Sequence, residues 1–371
     1  MSGVPFKVFL IASSLITHSI RGILTSVLSK NDDGEYDYST VMATMLSEVL
    51  KLLISFVIFR YQVRKDPTVR KYFSFKEIML WSVPAILYAI GHNMYYSIMS
   101  MVDTPVTIQV FASLETVIVG VFSVILMGKR CISPLFVIPR LSGIHWAAML
   151  LICDSVASIQ LSRSSTASFS DFPIYAAFLT IISTAIVACA GVCIEKLMKS
   201  HKDMSIFQQN IWLYFWGVVV NFVFLLFENG YNSIQQITLR NFNFFAILTN
   251  VCLVYMGIVT SAILKYLSTV VKAMTSSSAL VVTSIISSVV FDTQLSLSFY
   301  LAVVNLSIAI FLYKTAPVPP PRKEEGGKAM ELELEAIPTE LPNLAVVEEK
   351  VADSIEIGDD EEEIVIRGSK V

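Results

Sequence analysis

Ten runs of mostly apolar residues, separated by short polar stretches, fill residues 6 to 314 of the chain. Crossing a hydrocarbon layer about 30 Å thick takes about 20 such residues in helical form. The pattern predicts helices over approximately 6–28, 39–61, 77–99, 104–127, 141–161, 173–197, 207–228, 243–267, 270–291 and 296–314. The apolar stretch from Phe242 to Phe291 is too long for one helix, and Ser268 and Thr269, between Lys265 and Lys272, are its predicted turn. The first run is long and contains His18 and Arg21, so it reads as a retained span and not a cleaved signal.

Composition agrees with the pattern. Across 371 residues, 54% are hydrophobic and 15% charged, with a mean hydropathy of +0.66, outside the range of soluble domains. The fold class is therefore an all-α integral membrane protein with ten transmembrane helices. Residues 1–161 and 162–314 hold five spans each. An odd number per half inverts the second unit relative to the first, which predicts two inverted five-helix repeats and a site near the midplane. After Tyr313 the character changes: Pro317, Pro319, Pro320 and Pro321 end the last span, and the tail 315–371 contains an acidic run from Asp359 to Glu363. Such a segment cannot bury a core and is expected to be disordered. The five cysteines lie within or beside spans, without metal-ligand spacing, and read as packing residues.

Basic residues in loops set orientation. The loop after span 2 carries Arg60, Arg64, Lys65, Arg70, Lys71 and Lys76, and Lys129, Arg130 and Arg140 follow span 4. Lys196, Lys199 and Lys202 follow span 6, while Asp32, Asp33, Glu35 and Asp37 follow span 1. This asymmetry, with an even number of spans, predicts that both termini are cytosolic.

A charge at the bilayer centre costs about 2.5–3.5 kcal/mol on insertion scales, so a charge kept there needs a reason. The intramembrane set is Arg21, Glu48, Lys51, Glu115, Asp154, Glu195, Lys265 and Lys272. Mixed signs at depth point to a polar path for a charged solute. Glu48 and Lys51, three apart, share a helical face; they form either a structural ion pair or a lysine lent to a phosphate and held by its carboxylate. Lys265 could snorkel to headgroups. Alternatively, Lys265 and Lys272 flank an anion cradle made of the hydroxyl run Thr275-Ser276-Ser277-Ser278 and the N-terminus of span 9. Asn210, Tyr214 and Gly217 form one stripe that either packs helices or contacts a base, ribose or sugar; Asn93 has similar standing. Glu115 reads as an acid paired with a lysine or as a proton-coupling group. The loops are short and lack phosphate-loop, zinc and serine-nucleophile motifs, so no enzyme, cofactor or metal is expected.

At these residues the chain resembles the nucleotide-sugar transporters of the drug/metabolite transporter superfamily, in particular the group of CMP-sialic acid, UDP-galactose and UDP-N-acetylglucosamine transporters. The likeness covers about residues 6–314 and rests on "SEVLKLLIS" at 47–55, "PAILYAIGHNMYY" at 84–96, "MGKR" at 127–130, "GVCIEKLMK" at 191–199, "QNIWLY" at 209–214 and "ILKYLSTVVKAMTSS" at 263–277. The resemblance implies a monomeric or homodimeric carrier of the Golgi or endoplasmic reticulum, exchanging a cytosolic nucleotide sugar, expected to be a pyrimidine one, for a lumenal nucleoside monophosphate. Its partners would be these nucleotides and the lipid bilayer, with no nucleic acid. Carried over, Lys51, Lys265 and Lys272 face phosphate, Asn210 and Tyr214 line the nucleoside or sugar pocket, and Gly217 permits close approach; Asn93, Gln109 and Ser276 are further candidate substrate-binding residues. Glu48, Glu115 and Glu195 support or couple. The chain departs from the pattern at Glu115, where members usually have a lysine, at Ile108 in place of a tyrosine, and at His92-Asn93 in place of two asparagines. The alternatives are a carrier of another small solute, proton-coupled through Glu115, and a membrane scaffold that recruits partners through its tail.

Overall fold

The computed structural model describes residues 3–24, 40–66, 68–69, 73–100, 110–127, 141–162, 174–201, 203–229, 244–290 and 294–317. Within them the chain is helical: α1 (Val4–Ile23), α2 (Thr40–Lys65), α3 (Phe75–Leu80), α4 (Ser82–Ser100), α5 (Glu115–Met127), α6 (Gly143–Ser162), α7 (Ile174–Ser200), α8 (Ile206–Asn229), α9 (Phe244–Tyr266), α10 (Thr269–Val290) and α11 (Leu297–Thr315). Pro5 sits in the first turn of α1, where its missing N–H has no intrahelical partner to lose. Among the described residues, eight helices are long and apolar enough to cross a membrane. α1 and α4 fall outside that set. Both are richer in polar residues, with Ser13, Ser14, Thr17, His18, Ser19 and Arg21 in α1 and Tyr88, His92, Asn93, Tyr95 and Tyr96 in α4.

The predicted spans correspond to these helices with two differences. Span 3 is divided at Trp81, a buried residue between α3 and α4. Span 4 has a turn at Ser113-Leu114, so Glu115 opens α5 and does not lie in the middle of an unbroken helix. The amides of Ser113 and Leu114 donate to the carbonyls of Val110 and Phe111; these are the tighter three-residue bonds that often mark a helix start. Gln109, and the side chain of Asn93, lie outside the described residues, as does the acidic tail from position 318.

α2 packs on α8, α6 on α11, α4 on α7 and α8, and α1 on α9 and α10. α5 lies against α6, α7 and α10. One apolar core joins α5, α6, α7, α10 and α11 through Val119, Met149, Ile152, Val192, Met274 and Phe299. A second holds Trp81, Ile194, Met198, Trp212 and Leu264 where α4, α7, α8 and α9 meet. Outward faces are apolar too: Phe9, Phe56, Val57, Phe178, Phe215, Val251 and Phe311 are exposed. A surface of that kind is stable against lipid tails and not against water. Hydroxyls inside the helices turn back on their own backbones, as Thr180 does to Ala176 and Thr283 to Ala279, which satisfies donors that hydrocarbon cannot.

Candidate functional site

The first polar centre lies between α2, α8 and α9. Lys51 is 8% exposed although it sits near the middle of an apolar helix. It forms an ion pair with Glu48 one turn earlier, and its ammonium lies 4.9 Å from the centroid of the Tyr214 ring. Both partners offset part of the cost of the buried cation. The Tyr214 hydroxyl shares a 2.9 Å hydrogen bond with Ser261 of α9, which fixes the ring beneath the lysine. Two glycines make room for this pair. A Cβ on Gly217 would lie 2.8 Å from Glu48 Oε2, and one on Gly257 would lie 2.5 Å from Lys51 Cδ. Asn210 continues the Tyr214–Gly217 stripe toward the start of α8. It is fully buried, and neither its Oδ1 nor its Nδ2 has a hydrogen-bond partner among the described residues. Leaving an amide so costs about 1–3 kcal/mol per group.

The second centre lies between α1, α5 and α10. Lys272 Nζ is 3.1 Å from Glu115 Oε1. Both side chains are largely covered, and α5 begins at Glu115, so its carboxylate meets the positive end of that helix. The Ser276 hydroxyl lies 3.4 Å from His18 Nε2, and His18 Nδ1 is 3.0 Å from the carbonyl of Ser14. His18 and Tyr88 lie within electrostatic range of Lys272 and Glu115. The hydroxyl run on α10 is spent on its own helix. Thr275, Ser276, Ser277 and Ser278 each donate to the carbonyl four residues earlier, at 2.8 to 3.1 Å. In this conformation, therefore, these hydroxyls are not free donors for an anion.

The turn between α9 and α10 is half-buried, and Thr269 at the start of α10 is only 1% exposed, so its backbone must be satisfied from inside the protein. Glu195 of α7 does this: its Oε2 accepts from the Thr269 N–H at 2.7 Å and from the Thr269 hydroxyl at 2.6 Å. Lys199 pairs with the other oxygen of Glu195 at 2.6 Å and donates to the Leu267 carbonyl. The N-terminus of α10, expected to cradle a phosphate, is occupied by a carboxylate of the protein. Lys265 turns away from Lys272. It donates to the Met204 carbonyl at 2.6 Å and to Gln209 Oε1 at 3.0 Å. It also lines an open cleft of about 1190 Å³ with Tyr61, Lys65, Asp66, Asp203 and Ser205. There the Thr68 hydroxyl and N–H hold the Asp66 carboxyl below its ordinary range.

The structure thus brings Lys51, Glu48, Asn210, Tyr214 and Gly217 to one seam and Lys272, Glu115 and Ser276 to another. It assigns Glu195 to the α9–α10 turn and Lys265 to the cleft. Asp154 of α6 accepts from Asn305 of α11 at 3.0 Å near the outer surface. Gly257, Ser261, His18 and Gln209 were not among the site residues read from the sequence. Gln209 donates to the carbonyls of Met198 and His201 while accepting from Lys265. Nothing in spacing distinguishes a glycine that seats a lysine stem from any other helix glycine.

A bundle of apolar-faced helices, eight of them long and apolar enough to cross a membrane among the described residues, is a multi-pass membrane protein, here with lysine–carboxylate pairs buried in its seams. The family model described as nucleotide-sugar transporter matches residues 2–314. The chain belongs to the nucleotide-sugar transporter family. It is 30% identical over 293 residues to CMP-sialic acid transporter 2 of Oryza sativa subsp. indica, covering 78% of this chain and 79% of that one. It is also 30% identical over 242 residues to CMP-sialic acid transporter 1 of Arabidopsis thaliana, covering 63% of this chain and 66% of the relative. A crystal structure of a protein superposes with TM-score 0.57 over 84% of this chain and 98% of its own, at 12% identity. That last likeness concerns the fold alone.

Proposed function

We propose that the protein exchanges a cytosolic pyrimidine nucleotide sugar for a lumenal nucleoside monophosphate across the Golgi or endoplasmic reticulum membrane, by alternating access. The observation that carries this reading is the seam between α2 and α8. It presents a buried cation on an aromatic ring, beside an unpartnered buried amide and two glycines. A phosphate matches the cation, and a base or ribose matches the amide and the bare backbone. The similarity to proteins named CMP-sialic acid transporters favours a pyrimidine. Both ligands are anions, so the same two lysines, Lys51 in one seam and Lys272 in the other, serve influx and return.

The order of packing supports two inverted five-helix repeats. Pairing α1 with α7, α2 with α8, α4 with α9, α5 with α10 and α6 with α11 maps the most extensive contacts onto one another. The α4–α7 contact maps onto α1–α9, α5–α7 onto α1–α10, and α4–α8 onto α2–α9. The α2–α8, α5–α10 and α6–α11 contacts map onto themselves. The seam with Lys51 and the Lys272–Glu115 pair would then lie along the pseudo-two-fold, where a site stays fixed while the halves rock. The loop charges favour cytosolic termini.

Purified protein in liposomes loaded with UMP, CMP or GMP, offered labelled nucleotide sugars, tests the reading. Uptake accelerated by one internal monophosphate supports it and names the base. Absence of nucleotide exchange by folded protein refutes it, and acceleration by an imposed proton gradient would favour a proton-coupled carrier of another solute.

A further inference from the structure

We infer that Glu115 stands in for the ligand's phosphate when the carrier is empty, so that the protein performs net transport as well as exchange. This rests on the transport reading above.

Exchange is obligatory when the unloaded carrier cannot reorient, and a buried cation without its anion is one physical cause. An uncompensated lysine in the bundle interior slows that step by roughly a hundredfold, from the insertion penalty of a central charge. In this chain both candidate lysines, one in each seam, already have carboxylates. Glu48 neutralises Lys51 from the same helix, three residues away, and moves with it in every state. Lys272 is different. Its acid is on another helix, 3.1 Å away across the α5–α10 contact. That bond can be exchanged for a ligand anion. Lys265 belongs to the open cleft and donates to neutral oxygens.

A phosphate arriving at Lys272 meets the Glu115 carboxylate, and two anions at one ammonium repel. Binding therefore displaces Glu115, and release restores the pair. The cost of displacement weakens substrate binding, while the restored pair lets the empty protein return with Lys272 neutralised. Because α5 and α10 are equivalent helices in the proposed repeats, the pair spans the pseudo-axis and is retained whichever way the carrier faces.

The test uses full-length protein in vesicles that are empty or loaded with CMP or UMP, with labelled CMP-sialic acid, UDP-galactose or UDP-N-acetylglucosamine outside. Wild-type uptake into empty vesicles is expected within about tenfold of uptake into loaded ones, since no unpaired charge crosses. In Glu115→Gln, empty-vesicle uptake should fall roughly a hundredfold while loaded exchange persists with a lower KM. Glu115→Asp, which keeps the charge, should retain net uptake. A purely structural Glu115 would lower both modes together and would not lower KM, which would overturn the inference. So would wild-type uptake confined to loaded vesicles, a comparison that needs no variant and leaves the exchange reading standing. No uptake in either vesicle set overturns the transport reading and this inference with it.

Discussion

Replacing Gly257 with alanine is a sharp test of the Lys51 seam because its geometry defines the damage. The added methyl carbon would lie 2.5 Å from Lys51 Cδ, 3.3 Å from its Nζ and 3.4 Å from its Cε. Non-bonded carbons rest at about 3.5–4.0 Å, so the stem must retreat by about 1 Å. Lys51 cannot retreat without loosening its bond to Glu48 or lifting off the Tyr214 ring. Inserting a methylene-sized group into a packed interior costs about 1–3 kcal/mol, which is about fivefold to about 160-fold in a binding constant. The cost falls on presentation of the ammonium, so KM for exchange should rise by that factor while the bundle stays folded. Gly143 supplies the control, since a Cβ there meets nothing within 4 Å, and Gly143→Ala should transport like wild type. Initial exchange rates in liposomes across substrate concentrations, with equal amounts of monodisperse protein, make the comparison. Wild-type KM in Gly257→Ala would refute the claim that Lys51 contacts the ligand from this seat.

Three further substitutions separate ligand contacts from supports. Asn210→Leu removes an amide that has no partner among the described residues; thermal stability should hold or rise by about 1–3 kcal/mol, while nucleotide affinity falls, as read by melting with and without CMP or UMP. Glu195→Gln strips the charge from the carboxylate that serves Lys199 and Thr269, and denaturation in detergent should show a loss of about 3 kcal/mol, typical of a broken buried pair. Tyr214→Phe keeps the ring under Lys51 and deletes only the bond to Ser261, whose hydroxyl also donates to Gly257 at 3.1 Å. That substitution should cost about 1 kcal/mol and change KM far less than Tyr214→Leu, measured in the same liposomes.

Hydrophobic runs made the helices legible because span length is set by the bilayer. The α9–α10 turn was readable from two lysines and small polar residues inside one overlong apolar run; it falls at Leu267-Ser268, one residue early. The Glu48–Lys51 pair was readable because i,i+3 spacing fixes it on one helix. The turn before α5 was not. Ser113-Leu114 carries no glycine or proline, so no local residue type marked the break. Partners across helices were equally hidden. Sequence placed Glu195 among buried charges, but only the fold brings it to Thr269, 74 positions away. The state of the hydroxyl run on α10 was not legible either: in a dry helix, serine and threonine satisfy themselves on the preceding turn, as these four do here.

The central claim is that a nucleotide binds through Lys51 in the α2–α8 seam. Thermal unfolding of the purified protein, titrated with CMP, UMP and GMP, tests it most directly when wild type is compared with Lys51→Gln. At a ligand concentration of 100 Kd, binding to the native state alone adds about 2.7 kcal/mol of stability, a shift easily read on this scale. Wild type should be stabilised by one pyrimidine monophosphate, and Lys51→Gln, with a folded baseline of its own, should lose that shift at the same concentration. An equal shift in both proteins would place the nucleotide elsewhere and contradict the account.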